Sequence, residues 1–170
     1  MRRRKRISGA VVLSICTILT AHAIQAKPMA VARLQAGKPK TSSAANAKKY
    51  NYTLPNGKKI TLDFPLFVEG NEHKVTKDVF HGYQLYNSYC YRCHGTDVTE
   101  SELAPNLRHT FEKGLTRQQF LSIVTTGRDD KGMPKWGGFL TEEEMTSIYR
   151  YVKGRSLDLV PVGRPPSEFD

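Results

Sequence analysis

Two cysteines three positions apart, Cys90 and Cys93, are followed directly by His94. In this C-x-x-C-H order each thiol can form a thioether with one vinyl group of a porphyrin, and the adjacent imidazole can bind the iron. The histidine directly after the second cysteine distinguishes this arrangement from other cysteine pairs. These residues therefore predict the covalent attachment of one haem c, with His94 as the first axial ligand of its iron.

A C-x-x-C pair has two other common uses. A thioredoxin-like dithiol needs a βαβ context, and a structural zinc site needs a second pair of ligands. No parallel-sheet pattern surrounds the motif, and the remaining cysteine, Cys16, lies in the N-terminal apolar stretch. Three histidines, His73, His81 and His109, show no ligand spacing. The sequence therefore favours haem attachment over dithiol or zinc chemistry.

A second candidate ligand lies in segment 128–138, which is too rich in polar residues, glycine and proline for a helix or strand. Met133 stands there between Gly132 and Pro134, away from any apolar stripe, so it is unlike a packing residue. Because a thioether stabilises ferrous iron, Met133 is the predicted sixth ligand. Trp136 is expected to shield a haem edge or to line a path for electrons, unless it is only a packed aromatic residue.

Three other residues compete with Met133 for the sixth position. Met145 follows three glutamates within a predicted helix, where it is expected to pack, and Met29 lies in the N-terminal region. His109 remains an alternative ligand, although it follows His94 by only fifteen residues and is expected on the same side of the ring.

The segment around Pro105 is expected to orient the histidine ligand. A proline lacks an N–H group, but its carbonyl can accept a hydrogen bond from the outward ring nitrogen of His94. Leu107 would then pack on the haem. The alternative is an ordinary proline-bearing loop.

Three predicted helices, at 76–95, 116–127 and 141–154, position these candidates. The second and third open with the capping-box patterns Thr-x-x-Gln and Thr-x-x-Glu. The first has a continuous apolar face that includes Gly82, and a glycine there costs about 1 kcal/mol relative to alanine. We therefore expect the last helix to approach Gly82 closely. A glycine is expected to end each helix, at Gly95, Gly127 and Gly154.

The regions outside the helices have distinct compositions. Residues 1–26 combine a basic start, a short apolar run and small residues, which predicts a signal peptide and export to the periplasm. An uncleaved membrane anchor is the alternative. Residues 27–49 are expected to form a flexible basic linker. Residues 50–75 predict a small extension with a hairpin around Pro-Asn-Gly, and 158–170 an extended C-terminal tail.

The net charge of +10 does not describe the folded part. Residues 1–49 contain eleven lysines and arginines and no acidic residue. From Tyr50 onward, 15 basic residues face all 16 acidic residues, a net charge of −1. The high pI therefore gives no support to nucleic-acid binding.

Five motifs in order resemble those of class I c-type cytochromes and cover about 79–155. The resemblance implies an all-α fold whose first and last helices cross, axial ligation by His94 and Met133, and electron transfer rather than catalysis. With the extension, it gives a cytochrome domain at 76–157 behind a small β-hairpin. The motifs are Gly82-x-x-x-Tyr86, Cys90-x-x-Cys93-His94, Pro105-x-Leu107, Gly132-Met133-Pro134 and Ile148-x-x-Tyr151.

Segments 82–86, 148–155 and 160–165 are similar to those of small periplasmic cytochromes that serve quinoprotein (PQQ-dependent) alcohol and methanol dehydrogenases. This likeness implies a quinoprotein dehydrogenase as electron donor, a downstream cytochrome or terminal oxidase as acceptor, a role in methylotrophy, and no stable membrane insertion once the leader is cleaved. The short span after Met133 and the long basic linker depart from the pattern. Two alternatives stay open: a haem domain with an open sixth site, and a membrane-anchored subunit of a respiratory complex.

Overall fold

The computed structural model describes residues 48–99 and 101–170. The predicted signal peptide and residues 27–47 of the predicted linker lie outside these ranges. Within them, no helix is both long and apolar enough to cross a membrane. The fold is mainly helical, and its five helices are α1 (Lys77–Tyr89), α2 (Tyr91–His94), α3 (Leu107–Glu112), α4 (Arg117–Thr126) and α5 (Glu142–Ser156).

Two short antiparallel hairpins precede the helices. Strands β1 (Tyr50–Thr53) and β2 (Lys59–Leu62) flank the Pro-Asn-Gly turn, as the alternating pattern predicted. The sequence did not predict the second hairpin, formed by β3 (Phe67–Val68) and β4 (Asn71–Val75). Strand β3 has two residues and its register shifts within them, so no period-two pattern is long enough to detect.

Side-chain caps fix where the main helices begin. The Thr116 hydroxyl accepts a hydrogen bond from Gln119 N, and the Gln119 side chain accepts one from Thr116 N, so the predicted capping box opens α4. Thr141 and Glu144 form the same arrangement at the start of α5. Each such cap is worth about 1 kcal/mol.

Helices α1 and α5 cross at Gly82, as predicted. A Cβ atom at this glycine would overlap the carbonyl oxygen of Ser147 and would lie 3.0 Å from the Cβ of Tyr151. Tyr151 is fully buried beside the ring of Tyr86, with 5.5 Å between the ring centroids. The crossing therefore depends on a residue without a side chain, and it sets the position of α1 ahead of the cysteine motif.

The prediction that Gly154 ends the last helix is wrong. Helix α5 continues to Ser156, and Gly154 is buried within it. A Cβ there would lie 2.6 Å from Cγ2 of Val160 and 3.0 Å from Cδ2 of Leu66. Because the glycine has no side chain, it leaves room for Leu66 of the N-terminal extension and Val160 of the C-terminal tail.

The tail is irregular, but it is packed against the rest of the chain. Val160, Pro165 and Ser167 are fully buried. Val75 N donates to the Pro166 carbonyl oxygen at 2.8 Å, which joins the tail to β4. The tail and the extension thus support each other on the outside of α5.

The pH dependence of unfolding in acid tests the hydrogen bonds that hold the end of the tail. The Asp170 carboxylate accepts hydrogen bonds from Arg164 and from Ser167 N, which lower its pKa from 3.8 to about 2. A carboxyl with a lowered pKa stabilises the fold above its unfolded pKa, and that contribution is lost as pH falls toward the folded value. We therefore expect Asp170→Asn to make acid unfolding less steep between about pH 4 and pH 2. The control is Glu72→Gln, which removes an exposed carboxyl of β4 that forms no ion pair among the described residues, and an equal change in both variants would contradict the role of the Asp170 contacts.

Candidate cofactor site

A cavity of about 230 Å³ lies between the ends of α1 and α2, helices α4 and α5, and the loop around Met133. Its walls are mainly apolar and include Phe120, Val124 and Ile148. All seven residues that the sequence singled out line this one cavity: Cys90, Cys93, His94, Pro105, Leu107, Met133 and Trp136. The two hairpins contribute none of the described lining residues.

The two cysteines lie at the junction of α1 and α2. Cys90 is the half-buried residue between the helices, and Cys93 is exposed one turn later, so both thiols reach the same side. Burial, with Cys93 as a neighbour, raises the pKa of Cys90 to about 12. Burial therefore disfavours the thiolate form that dithiol exchange and thiolate–metal binding require. Among the described residues, no group of three or more His, Cys, Asp or Glu side chains could hold a metal ion.

The His94 ring is held by the segment that the sequence proposed. Its Nδ1 lies 3.1 Å from the carbonyl oxygen of Pro105, and a carbonyl can only accept, so Nδ1–H is the donor. This bond leaves Nε2 as the unprotonated ring nitrogen, which is the form that binds iron. Burial lowers the pKa of His94 and so favours the neutral ring.

The loop that carries Met133 is closed by backbone hydrogen bonds. Arg128 N donates to the Met133 carbonyl oxygen at 2.7 Å, and Met133 N donates to that of Arg128 at 3.1 Å. Trp136 N and Gly137 N then donate to the Val124 and Thr125 carbonyl oxygens at the end of α4. The half-buried methionine is therefore held against the cavity by a loop attached to α4.

The two described competitors for the sixth position do not line the cavity. His109 lies on the exposed side of α3, with Nε2 4.0 Å from Oε2 of Glu112. Met145 is buried in α5, and its sulfur lies 3.5 Å from Oγ1 of Thr125. Within the described chain, His94 and Met133 thus supply the imidazole and the thioether of the lining.

Trp136 belongs to an aromatic group beside the cysteine motif. Its ring centroid lies 5.4 Å from that of Tyr89 and 5.8 Å from that of Phe139. Tyr89 and Trp136 line the cavity, whereas Phe139 stands outside it and is 64% exposed. This geometry is compatible with both functional roles expected of Trp136, which are to shield an edge of the haem and to line a path for electrons.

The turn after His94 is anchored by residues that the sequence did not identify as part of the site. The Tyr86 hydroxyl donates to the Gly95 carbonyl oxygen at 2.6 Å. The buried Arg155 donates through Nε to the Asp97 carbonyl oxygen at 3.1 Å. Both Asp97 and Val98 have a positive φ, which is uncommon outside glycine and requires such support. In the sequence, Tyr86 lies on the apolar face of α1. That pattern predicts packing and gives no sign of the hydrogen bond to Gly95.

We expect Tyr86→Phe to weaken this turn without removing the cofactor. The substitution keeps the ring but leaves the Gly95 carbonyl without its donor, which costs about 1–3 kcal/mol. Denaturant unfolding of the haem-loaded protein should show this loss. Tyr50→Phe, whose ring lies in β1 and does not line the cavity, should change stability much less. Equal losses in the two variants would contradict the anchoring role of Tyr86.

The donor set of the cavity fits a covalently bound haem. It offers two thiols at thioether spacing, an imidazole with one free nitrogen, and a thioether on a closed loop. The apolar walls suit a porphyrin, since ligand cavities are mostly apolar with a few placed polar groups. The structure therefore agrees with the chemistry that the C-x-x-C-H motif predicts.

Comparison with known proteins gives matches to cytochromes. The profile of the family described as "Cytochrome C oxidase, cbb3-type, subunit III" matches residues 78–152. Cytochrome c-555 of Methylococcus capsulatus is 33% identical over 91 residues, which cover 52% of this chain and 72% of that protein. The crystal structure of the c-type cytochrome XoxG from Methylobacterium extorquens AM1 shares 26% identity over 54% of this chain and 58% of its own, with a TM-score of 0.48.

Larger proteins also match. Quinohemoprotein alcohol dehydrogenase ADH-IIG of Pseudomonas putida is 35% identical over 95 residues, or 55% of this chain. The match spans only 13% of that dehydrogenase, so it concerns one part of a much longer protein. The cavity and its motifs, together with the likeness to cytochrome c-555, identify the family: this chain belongs to the c-type cytochromes and carries covalently bound haem c.

Proposed function

We propose that this protein is a periplasmic one-electron carrier with a single haem c, and not an enzyme. Cys90 and Cys93 would hold the haem through thioether bonds, and His94 and Met133 would supply the imidazole and the thioether that bind its iron. When bound, the haem supplies one iron that exchanges one electron at a time. The observation that carries the proposal is the joint presence of His94 and Met133 in the lining of one cavity, which leaves no axial position for a substrate.

Each residue of the proposed site has a separate role. Pro105 fixes the tautomer of His94, and Leu107 and Trp136 keep water from the cavity. Met133 favours the ferrous state and so raises the reduction potential. Because these groups are fixed by backbone hydrogen bonds and packing, little rearrangement is required when an electron enters or leaves.

We further propose a quinoprotein, PQQ-dependent alcohol or methanol dehydrogenase as the electron donor. Two quinohemoprotein alcohol dehydrogenases of Pseudomonas putida contain a region similar to this chain, at 35% and 36% identity. Their names describe dehydrogenases that contain both a quinone and a haem. This combination supports a quinoprotein dehydrogenase as the electron donor to a separate cytochrome. A downstream cytochrome or terminal oxidase would accept the electron.

Rapid mixing tests the donor. The ferric holo-protein is mixed with a substrate-reduced quinoprotein dehydrogenase, and haem reduction is followed by absorbance. We expect full reduction at one electron per chain, and no reduction when the alcohol substrate is omitted. A ferric protein that stays oxidised with an active dehydrogenase would exclude this donor while leaving the haem assignment intact.

A second candidate is a haem subunit of a membrane-bound respiratory complex. The observation in its favour is the family profile, whose description names a subunit of a cbb3-type oxidase. The expected leader 1–26 distinguishes the two functions. N-terminal sequencing of the exported protein should begin after this leader for a free carrier. Recovery of the uncleaved chain in the membrane fraction would favour the subunit.

A further inference from the structure

The permanently charged side chains that line the cavity, among the described residues, are all positive. Among the described lining residues only Arg128 and Lys131 carry a permanent charge, and no carboxylate lines the cavity. A haem carries two propionates on the side of the porphyrin away from its vinyl groups. A carboxylate taken into an apolar cavity is costly unless it is paired and hydrogen-bonded. The propionates therefore need a cation or an opening to water.

Arg128 lies where both are available. It lines the apolar cavity and also an open groove of about 680 Å³ that shares Thr110, Leu115 and Ile123 with it. The other described lining residues of the groove include Lys113 and no acidic side chain. Arg128 is thus the cation at the junction between the apolar cavity and an open, positively charged groove.

The guanidinium of Arg128 is also uncommitted within the described chain. Arg108, Arg117, Arg150 and Arg164 each form an ion pair with an aspartate. Arg128 forms none, although two aspartates follow it directly in the sequence. Its backbone, in contrast, is fixed by the two hydrogen bonds to Met133. The position of its Cα is therefore set, and its side chain is free to bind an anion.

We propose that Arg128 binds a haem propionate. The planar guanidinium can donate two parallel N–H groups to one carboxylate, which a lysine ammonium cannot do. Since Arg128 is paired with Met133 through the backbone, this contact joins the acidic edge of the haem to the loop that carries the sulfur donor. The fixed cation disfavours the extra positive charge of the ferric state, and so it raises the reduction potential. The inference uses the haem c of the family and is independent of the electron donor.

Resonance Raman spectroscopy of the haem-loaded protein tests the contact, because the propionate bending mode responds to hydrogen bonding. We expect Arg128→Gln to shift this mode and to lower the reduction potential. Arg128→Lys keeps the positive charge but loses the pair of parallel N–H donors. It should therefore also shift the propionate mode, and it should lower the reduction potential less than Arg128→Gln does. The control is Arg117→Gln, because Arg117 pairs with Asp63 and does not line the cavity. Arg117→Gln should change neither the propionate bending mode nor the reduction potential.

Two results would overturn the proposal. An unchanged propionate mode in both Arg128 variants would mean that this side chain does not touch the carboxylate. A shift in Lys131→Gln with none in Arg128→Lys would assign the contact to the other cation of the cavity. If Arg128→Gln disturbs the loop and the methionine band is lost, the lysine variant decides, since it retains the charge and most of the side-chain length.

Discussion

Replacing Met133 by leucine is expected to leave the haem attached and to open its sixth axial position. The thioethers proposed at Cys90 and Cys93 would not depend on the loop, so the cofactor should stay bound. Without the sulfur, the ferric spectrum should change from low spin to high spin, and the near-infrared methionine band should disappear completely. The ferrous protein should then bind carbon monoxide, and the potential should fall because a thioether favours ferrous iron.

A methionine in the core of α5 provides the control. Met145 is 5% exposed in α5 and does not line the cavity. A change from methionine to leucine conserves volume and typically costs less than about 1.5 kcal/mol. Met145→Leu should therefore leave the spectrum and the potential unchanged. A wild-type spectrum for Met133→Leu would exclude Met133 as the ligand, and wild-type protein that binds carbon monoxide readily would favour a haem with an open sixth site.

Gly82→Ala is expected to cause a large loss of stability, although it adds only one methyl group. Alanine normally stabilises a helix relative to glycine by about 0.5–1 kcal/mol. At this position the new Cβ would overlap the backbone of Ser147, which cannot move without displacing α5. Overpacking of a core typically costs about 1–3 kcal/mol, and a collision with backbone belongs at or above the upper end.

Denaturant unfolding of the haem-loaded protein measures this effect. Gln84→Ala is the control, because Gln84 is exposed on the same helix and its replacement tests helix propensity alone. We expect the Gln84 variant to stay within about 0.5 kcal/mol of wild type, as surface substitutions usually do. A Gly82 variant as stable as the control would show that α1 and α5 can separate at little cost.

Local signals made the main helices predictable, and also which side chains line the cavity. The C-x-x-C-H motif, the methionine between a glycine and a proline, and the two capping boxes are each complete within a few residues. Their chemistry is therefore readable without knowledge of distant contacts. The crossing at Gly82 was predictable for a related reason, since a glycine inside a helix carries a cost that close packing explains.

The remaining features depend on contacts between distant segments. Gly154 resembles a helix stop in the sequence, and only the packing of Val160 and Leu66 against it explains why the helix continues. Helix α3 has six residues, too few for a clear helical period. Arg155 reaches the turn after the cysteine motif across the fold, at Asp97, so no local pattern could assign it to the site.

Mass spectrometry of the denatured, exported protein determines whether haem is covalently attached at the cysteine motif. We predict a mass equal to that of the mature chain plus one haem, with the added mass confined to the proteolytic fragment that contains residues 89–94. The haem should remain on that fragment after extraction with acidified solvent, because thioether bonds survive this treatment. A colourless protein, or a haem that is extracted completely, would contradict covalent attachment at Cys90 and Cys93.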